Sequence, residues 1–78
     1  MYADSPPSIH RIDLRSALLA DASYDMRLRA LDVAYTDGNA YRFYDVPHDT
    51  WVAFCAAESR GRFFLDFIRE NYSRERKP

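Results

Sequence analysis

The stretch ALDVAYTDGNAYRFY (residues 30–44) carries the clearest structural signal in the chain. Its first half places Leu31, Val33 and Tyr35 on one side and small or acidic residues on the other, and this two-residue period is typical of a half-buried strand. The Asp-Gly-Asn segment at 37–39 supplies residues that tolerate a positive φ angle, and a second alternating segment follows it. The stretch therefore predicts a β-hairpin.

The segments before the hairpin and at the C-terminus are less regular. A weaker strand is expected within residues 16–24, joined to the hairpin by a turn around residues 25–27. Residues 1–13 contain two adjacent prolines and no apolar period, so we expect a flexible N-terminal arm. Residues 73–78 form a basic tail without a hydrophobic anchor, which we expect to fray into solvent. The folded domain is then expected to span residues 14–72.

Two helices are expected after the hairpin. The first begins near Pro47, whose missing N–H would have no intrahelical partner at that position. It is short because Ser59 and Gly61 interrupt it, and Ser59 can cap a second helix that runs to about Tyr72. Three strands followed by two helices predict an α+β fold, an antiparallel three-stranded meander with both helices packed on one face. The apolar stripe of the second helix is Phe64, Phe67, Ile68 and Tyr72.

Length and composition describe one small globular domain. The 78 residues are 47% hydrophobic and 15% aromatic, which is too apolar for a disordered chain. The single Cys55 cannot form an internal disulfide, which excludes a disulfide scaffold and makes the cytoplasm the expected location. The early apolar run at residues 17–20 is too short for a signal peptide or a membrane span, so we expect no membrane association.

Catalytic and metal-binding patterns are weak. The His and Cys residues are His10, His48 and Cys55, fewer than the four ligands of a structural zinc site. His48 and Cys55 cannot share a hydrogen bond if both lie in one helix, since their separation corresponds to roughly 10 Å of rise. Asp45 and Asp49 flank the start of the first helix, where capping and the helix dipole explain them. We therefore predict no catalytic residue, no metal and no cofactor, and a chain that is not an enzyme.

The net charge of −1 combines two unlike parts of the chain. Residues 1–58 hold five Arg against nine acidic residues, whereas residues 59–78 hold six Arg and Lys against three acidic residues. An anionic partner would therefore be attracted to the C-terminal part. The helix start at residues 59–62, with two arginines, is a candidate anion site, and close packing of the two helices at Gly61 is the alternative explanation.

Arginine is also interleaved with aromatic residues, a combination that single-stranded RNA recognition uses for phosphate contacts and base stacking. The candidate nucleic-acid-binding residues are Arg42, Tyr44, Arg60, Arg62 and Arg69. The same arginines can instead be surface residues that pair with acidic neighbours. Those neighbours would be Asp32, Asp45 and Asp66.

In order and spacing, these segments resemble the KTSC domain, a small module named after the C-terminal region of some lysyl-tRNA synthetases and also found as free-standing bacterial proteins. The resemblance runs over residues 16–72. It departs from the usual pattern at Phe43, where the family usually has Tyr, and at Leu65, where a polar residue is usual. The residues that carry it are Tyr24, Asp25, Leu31, Val33, Tyr35, Tyr41, Phe43, Val46, Pro47, Trp51, Phe54, Ala57, Ser59, Gly61, Phe63, Phe64, Ile68 and Tyr72.

The resemblance implies a binding module without established catalytic residues, and the synthetase setting suggests RNA as its ligand. From the sequence we therefore predict a non-enzymatic cytoplasmic binding module with RNA as its partner. The alternative is a protein-interaction or self-association module without a nucleic-acid ligand. It would act through an exposed strand edge, or through Phe63, Leu65 and Phe67 if the second helix is more apolar than the sheet can cover.

Overall fold

A five-stranded antiparallel sheet and two helical segments form the α+β fold. The computed structural model describes the backbone of residues 9–13 and 18–77, with side chains from residue 18 onward. The strands lie in the sheet in chain order, and each neighbour is antiparallel. They are β1 (Ile9–Asp13), β2 (Leu19–Asp25), β3 (Ala30–Tyr35), β4 (Ala40–Phe43) and β5 (Arg74–Lys77).

The central strands agree with the sequence pattern. Strands β3 and β4 pair in the register Val33↔Tyr41, with Gly38 in the connecting turn at a φ angle of 98°. That angle lies in the left-handed region, which glycine adopts without steric cost. Strand β2 pairs with β3 in the register Tyr24↔Leu31 and carries a bulge between Leu19 and Asp21. The hairpin and the preceding strand are thus confirmed.

The predicted count of three strands is wrong, because both ends of the chain contribute an edge strand. Residues 9–13, which were expected to be part of a flexible arm, pair with β2 as β1. Residues 74–77, which were expected to fray, pair with β4 as β5. Backbone hydrogen bonds form these strands without a run of apolar side chains, so no hydrophobic period reveals them. The rest of the expected arm and tail, residues 1–8 and 78, lies outside the described residues.

The helical layer covers one face of the sheet. Helix α1 (His48–Ala56) is followed by the short helix α2 (Arg60–Phe63), which continues directly as a five-residue π-helical segment (Phe64–Ile68). The N–H of Arg69 donates to the carbonyl of Phe64 at 2.9 Å, the five-residue spacing that defines this wider turn. The second helical segment therefore ends at Ile68, not near Tyr72. Asn71 closes it by donating its backbone N–H to Ile68 and its side-chain amide to Phe67.

The hydrophobic core lies between the sheet and the helices. Edge-to-face contacts link Phe64 to Phe43 of β4 and to Tyr35 of β3, with ring centroids 5.4 and 5.9 Å apart. Aromatic side chains thus hold the helical layer on the sheet. The buried cluster consists of Leu19, Ala22, Tyr24, Leu31, Val33, Phe43, Val46, Trp51, Phe54, Phe64 and Ile68.

Tyr24 connects three parts of this core. Its ring stacks on Trp51 of α1 with centroids 5.4 Å apart, and its hydroxyl donates to the carbonyl of Val46 at 2.6 Å. Tyr24 and Val46 are both fully buried, and burial raises the pKa of the Tyr24 hydroxyl. Since a buried carbonyl without a partner is costly, this bond fixes the chain where it leaves the sheet and enters α1.

The substitution Tyr24→Phe tests that connection. It keeps the ring on Trp51 but leaves the Val46 carbonyl unpaired, so we expect the free energy of unfolding to fall by about 1 to 3 kcal/mol. Urea unfolding at neutral pH, followed by tryptophan fluorescence, measures the change. The control is Tyr41→Phe, which removes the hydroxyl of a half-buried tyrosine but keeps its ring against Tyr35, and it should leave stability nearly unchanged. Equal losses in the two variants would contradict this role for Tyr24.

Candidate functional site

The sheet face away from the helices carries a network of charged side chains. The guanidinium of Arg42 donates to both carboxylate oxygens of Asp32, at 2.8 and 3.0 Å, and Lys77 donates to the same carboxylate at 3.0 Å. Next to them, the hydroxyl of Tyr44 donates to Glu75. This face therefore pairs its own charges and connects β5 to β3 and β4.

Asp32 is the centre of that network. Burial by itself would raise its pKa, but the hydrogen bonds and charges of Arg42 and Lys77 outweigh burial and hold the pKa below its usual value. The same carboxylate raises the pKa of Arg42. The pKa of Tyr44 is raised mainly by its hydrogen bond to Glu75. Arg42 and Tyr44, two of the candidate RNA-binding residues, thus have partners within the sheet.

Arg60 joins the two helices. Its Nε and Nη2 atoms donate to the carbonyl of Cys55 at 3.2 and 2.8 Å, and its side chain is half-buried. The carbonyl lies in the last turn of α1, which lacks an intrahelical partner for its last carbonyl groups. The structure therefore gives Arg60 a role in helix packing that the sequence pattern did not indicate.

The remaining helical arginines are exposed. Arg62 lies 3.4 Å from Asp66, which confirms one of the acidic neighbours expected for it, and Arg69 lies 3.8 Å from Glu70. Ser59 accepts a hydrogen bond from the Arg62 N–H at 3.2 Å, so the predicted N-cap is confirmed. These arginines lie in the helical layer, whereas Arg42 and Tyr44 lie across the sheet. The structure does not bring the five candidate residues together on one surface.

A groove of about 370 Å³ lies between α1 and the second helical segment. Phe63 and Phe67 form one wall and Ala53 belongs to the other, while polar residues lie along its length. Phe67 is 54% exposed although it is a large aromatic residue. The full lining is Asp49, Thr50, Ala53, Phe63, Phe67, Asn71 and Tyr72.

The exposed ring of Phe67 is linked to the core through neighbouring aromatic rings. Its ring centroid lies 4.8 Å from that of Phe63, and Phe63 in turn lies 6.2 Å from the fully buried Phe54. The hydroxyls of Thr50 and Tyr72, which are 3.4 Å apart, connect the two sides of the groove at one end. The groove therefore combines an aromatic wall that packs against the core with polar residues, and two of these are in contact at one end.

The three interaction candidates predicted from the sequence lie in two different environments. Phe63 and Phe67 line the groove together, whereas Leu65 is half-buried and packs against the core. The sequence pattern missed the contribution of α1, because the groove exists only where two helical segments approach each other. Within α1, the four-residue spacing of Asp49 and Ala53 is the one signal that places them on a common face.

The described part of the chain also bears on metal binding, thiol chemistry and membrane spans. In residues 18–77, no three His, Cys, Asp or Glu side chains come close enough together to hold a metal ion. Burial raises the pKa of the Cys55 thiol, the opposite of the shift that activates a nucleophilic cysteine. None of the helices in the described residues is long and apolar enough to cross a membrane.

The architecture defines the class of protein, a small α+β domain with a helical layer on one face of an antiparallel sheet. Comparison with known proteins identifies the family. The model of the KTSC domain matches residues 15–72, and the chain belongs to the KTSC domain family. The resemblance inferred from the sequence is thereby confirmed, and the edge strands β1 and β5 lie outside the matched residues.

Similar proteins come from several bacteria. The chain is 30% identical over 59 residues to a protein of Tsukamurella paurometabola, covering 76% of this chain and 88% of the relative. It is 31% identical over 64 residues to an uncharacterised protein of Stutzerimonas stutzeri, covering 82% and 90% of the two chains. The crystal structure of a KTSC domain protein from Yersinia pestis matches with a TM-score of 0.84 at 24% identity, over 90% of this chain and 99% of that one. This structural match supports the fold.

The substitution Asp32→Asn tests the charged network. Because the folded-state pKa of Asp32 lies below the unfolded value of about 3.9, its stabilisation is complete above that pH and is lost as pH falls through the folded-state pKa. We expect Asp32→Asn to lower the free energy of unfolding by about 1 kcal/mol at neutral pH and to flatten its decline on acidification. Urea unfolding at neutral pH and below pH ~4 measures both effects.

The matched control for Asp32→Asn is Asp66→Asn. Its carboxylate belongs to the pair with Arg62 and is 47% exposed, against 21% for Asp32. The exposed pair is screened by solvent, so we expect a smaller loss. An equal loss in both variants, or an unchanged acid dependence in Asp32→Asn, would show that the network does not hold the sheet.

Proposed function

We propose that the chain is a non-enzymatic cytoplasmic binding module whose ligand is another polypeptide, held in the groove between its helices. The observation that carries this proposal is the exposed ring of Phe67, which packs on Phe63 at the wall of the groove. Phe67 adjoins Phe63 and Ala53 in the groove, and contiguous exposed apolar surface is typical of interaction sites. One free thiol, Cys55, is consistent with the reducing interior of the cell.

The composition of the groove fits a protein ligand. Binding energy in protein interfaces is concentrated in a few aromatic or apolar anchors surrounded by polar residues. Here Phe63 and Phe67 supply the anchors, while Asp49, Thr50 and Asn71 supply polar groups around them. A partner that inserts an apolar side chain would bury Phe67 and still find hydrogen-bonding groups at the edge of the groove.

Charge favours a protein over RNA as the ligand. Arg42 is paired with Asp32 and Arg60 with the Cys55 carbonyl, so an RNA phosphate would have to replace these contacts. The acidic Asp49 lines the groove and would repel a phosphate there. Single-stranded RNA remains the second hypothesis, because Arg62 and Arg69 are exposed and Phe67 could stack on a base.

The environment of Cys55 supports a non-enzymatic role. A catalytic cysteine needs a lowered thiol pKa, whereas burial raises that of Cys55. We expect Cys55→Ser to retain the circular dichroism spectrum and the partner contacts of the unmodified chain. Loss of these contacts by a folded Cys55→Ser chain would instead indicate chemistry at the thiol.

Photocrosslinking in the native host tests the ligand class. With p-benzoylphenylalanine in place of Phe67, we expect light-dependent crosslinks to polypeptide. The control carries the same group in place of Val52, which is 50% exposed on α1 but does not line the groove. Absence of a polypeptide crosslink at position 67, or equal crosslinking at position 52, would contradict the proposal.

An RNA titration supplies the complementary measurement. Binding through several phosphates must weaken steeply with salt, so a labelled single-stranded RNA is titrated at about 50 mM and about 200 mM salt. We expect no salt-dependent change in fluorescence anisotropy. Binding that is strong at the lower salt concentration and lost in an Arg62→Gln, Arg69→Gln variant would favour RNA over the polypeptide ligand.

A further inference from the structure

The turn between β2 and β3 presents apolar side chains to solvent. In this turn Leu28 is 60% exposed and Met26 is 43% exposed, and they alternate with the exposed residues Arg27 and Arg29. Leu28 has the largest exposed fraction among the large hydrophobic residues from position 18 onward. An exposed leucine at the tip of a short turn does not add to the core. It either contributes to binding or has no effect on stability.

The turn is held in a fixed conformation. One carboxylate oxygen of Asp25 accepts hydrogen bonds from the N–H groups of Arg27 and Leu28, at 2.9 and 3.2 Å. The carbonyl of Arg29 accepts from the N–H of Val46 at 3.0 Å, and Arg29 itself has a φ angle of 54°. The backbone of such a turn is already ordered, so little backbone conformational entropy would be lost when it docks.

The turn and the groove lie near the same end of the molecule. The bond from Val46 to Arg29 attaches the turn to the segment that leads directly into α1. Asp49 and Thr50, in the first turn of α1, line the groove. Two copies related by a two-fold axis at this end could therefore each insert a turn into the other's groove, which is the self-complementary geometry of a closed dimer.

The β2–β3 turn and the groove carry opposite charges. Arg27 and Arg29 flank Leu28 on the turn, whereas the acidic Asp49 lines the groove. A docked Leu28 would bring the two guanidinium groups towards the Asp49 carboxylate. Charge complementarity of this kind selects the orientation of a contact more than it sets its strength.

We propose that the polypeptide bound in the groove is the β2–β3 turn of a second copy of this chain, with Leu28 of each copy packed between Ala53 and Phe67 of the other. This inference rests on the proposed function, since it names the partner of the same groove. The contact is small, so the dimer dissociates on dilution.

Interchain disulfide formation tests the proposal. Leu28→Cys and Ala53→Cys are made in separate chains, each also carrying Cys55→Ser, and the two chains are mixed with oxidised glutathione as the oxidant. We expect the mixture to form a disulfide-linked species of twice the 9.2 kDa chain mass at least tenfold faster than either chain alone. The matched control pairs Leu28→Cys with Val52→Cys, whose side chain neighbours Ala53 in sequence but does not line the groove.

Two results would overturn the dimer. The first is a crosslinking rate for Leu28→Cys with Ala53→Cys that is no faster than for Leu28→Cys with Val52→Cys. The second is a wild-type chain that stays at 9.2 kDa by sedimentation up to about 1 mM, a concentration at which even weak self-association is detectable. Leu28→Asp should remove any wild-type self-association, and since Leu28 is exposed this variant should fold normally.

The outcomes separate this inference from the proposed function. If Phe67 crosslinks to a different polypeptide while Leu28 and Ala53 do not pair, the groove binds a protein but the dimer is wrong. If Phe67 crosslinks to no polypeptide, both proposals fail together. If Phe67 crosslinks to a second copy and Leu28 pairs with Ala53, both are supported.

Discussion

The hydrogen bond from the Tyr24 hydroxyl to the Val46 carbonyl is the contact on which the arrangement of sheet and helices depends. Tyr24 belongs to β2, and Val46 lies in the segment between β4 and α1. The ring of Tyr24 stacks on Trp51, so one side chain fixes both the position of α1 and the path of the chain that leads to it. Because the N–H of Val46 also bonds to Arg29, the same residue connects the helix start to the turn that carries Leu28.

The two faces of the domain differ in whether their side chains find partners within the domain. On the open face of the sheet, Arg42 and Lys77 both pair with Asp32, and charged β5 covers the edge of β4. Charged edge strands of this kind discourage further strand pairing. On the helical face, Phe67 remains largely exposed above a groove. This difference is why the proposed binding site is placed on the helical face.

Periodic sequence patterns predicted the parts of the fold that bury apolar side chains. The hairpin, the preceding strand and the Ser59 cap followed from alternation, turn residues and spacing. The KTSC family was identified from the resemblance of the whole segment to that family. Strand β5 could not be predicted in this way, because Arg74–Lys77 contains no hydrophobic residue and pairs through its backbone. The end of the second helical segment at Ile68 depends on a π-helical turn, which has no simple sequence period.

The candidate site was predictable only in part. Phe63 and Phe67 follow from an apolar helix that is wider than the sheet can cover, and they do line one groove. Arg60 looked like a phosphate ligand in the sequence, yet its partner is the carbonyl of Cys55. Such a contact depends on where one helix ends relative to another, which residue type and spacing do not encode. The exposure of Leu28 likewise depends on how the turn lies relative to the core.

The central claim is that the groove between the helices is the binding face and that a second copy occupies it. The most direct test is isotope-filtered NMR on an equimolar mixture of labelled and unlabelled chains at about 1 mM, where a weak dimer is populated. The account predicts intermolecular nuclear Overhauser effects between the Leu28 methyl protons of one copy and the ring protons of Phe67 in the other. Intermolecular effects confined to the sheet face of Arg42 and Tyr44, or none at all, would contradict it.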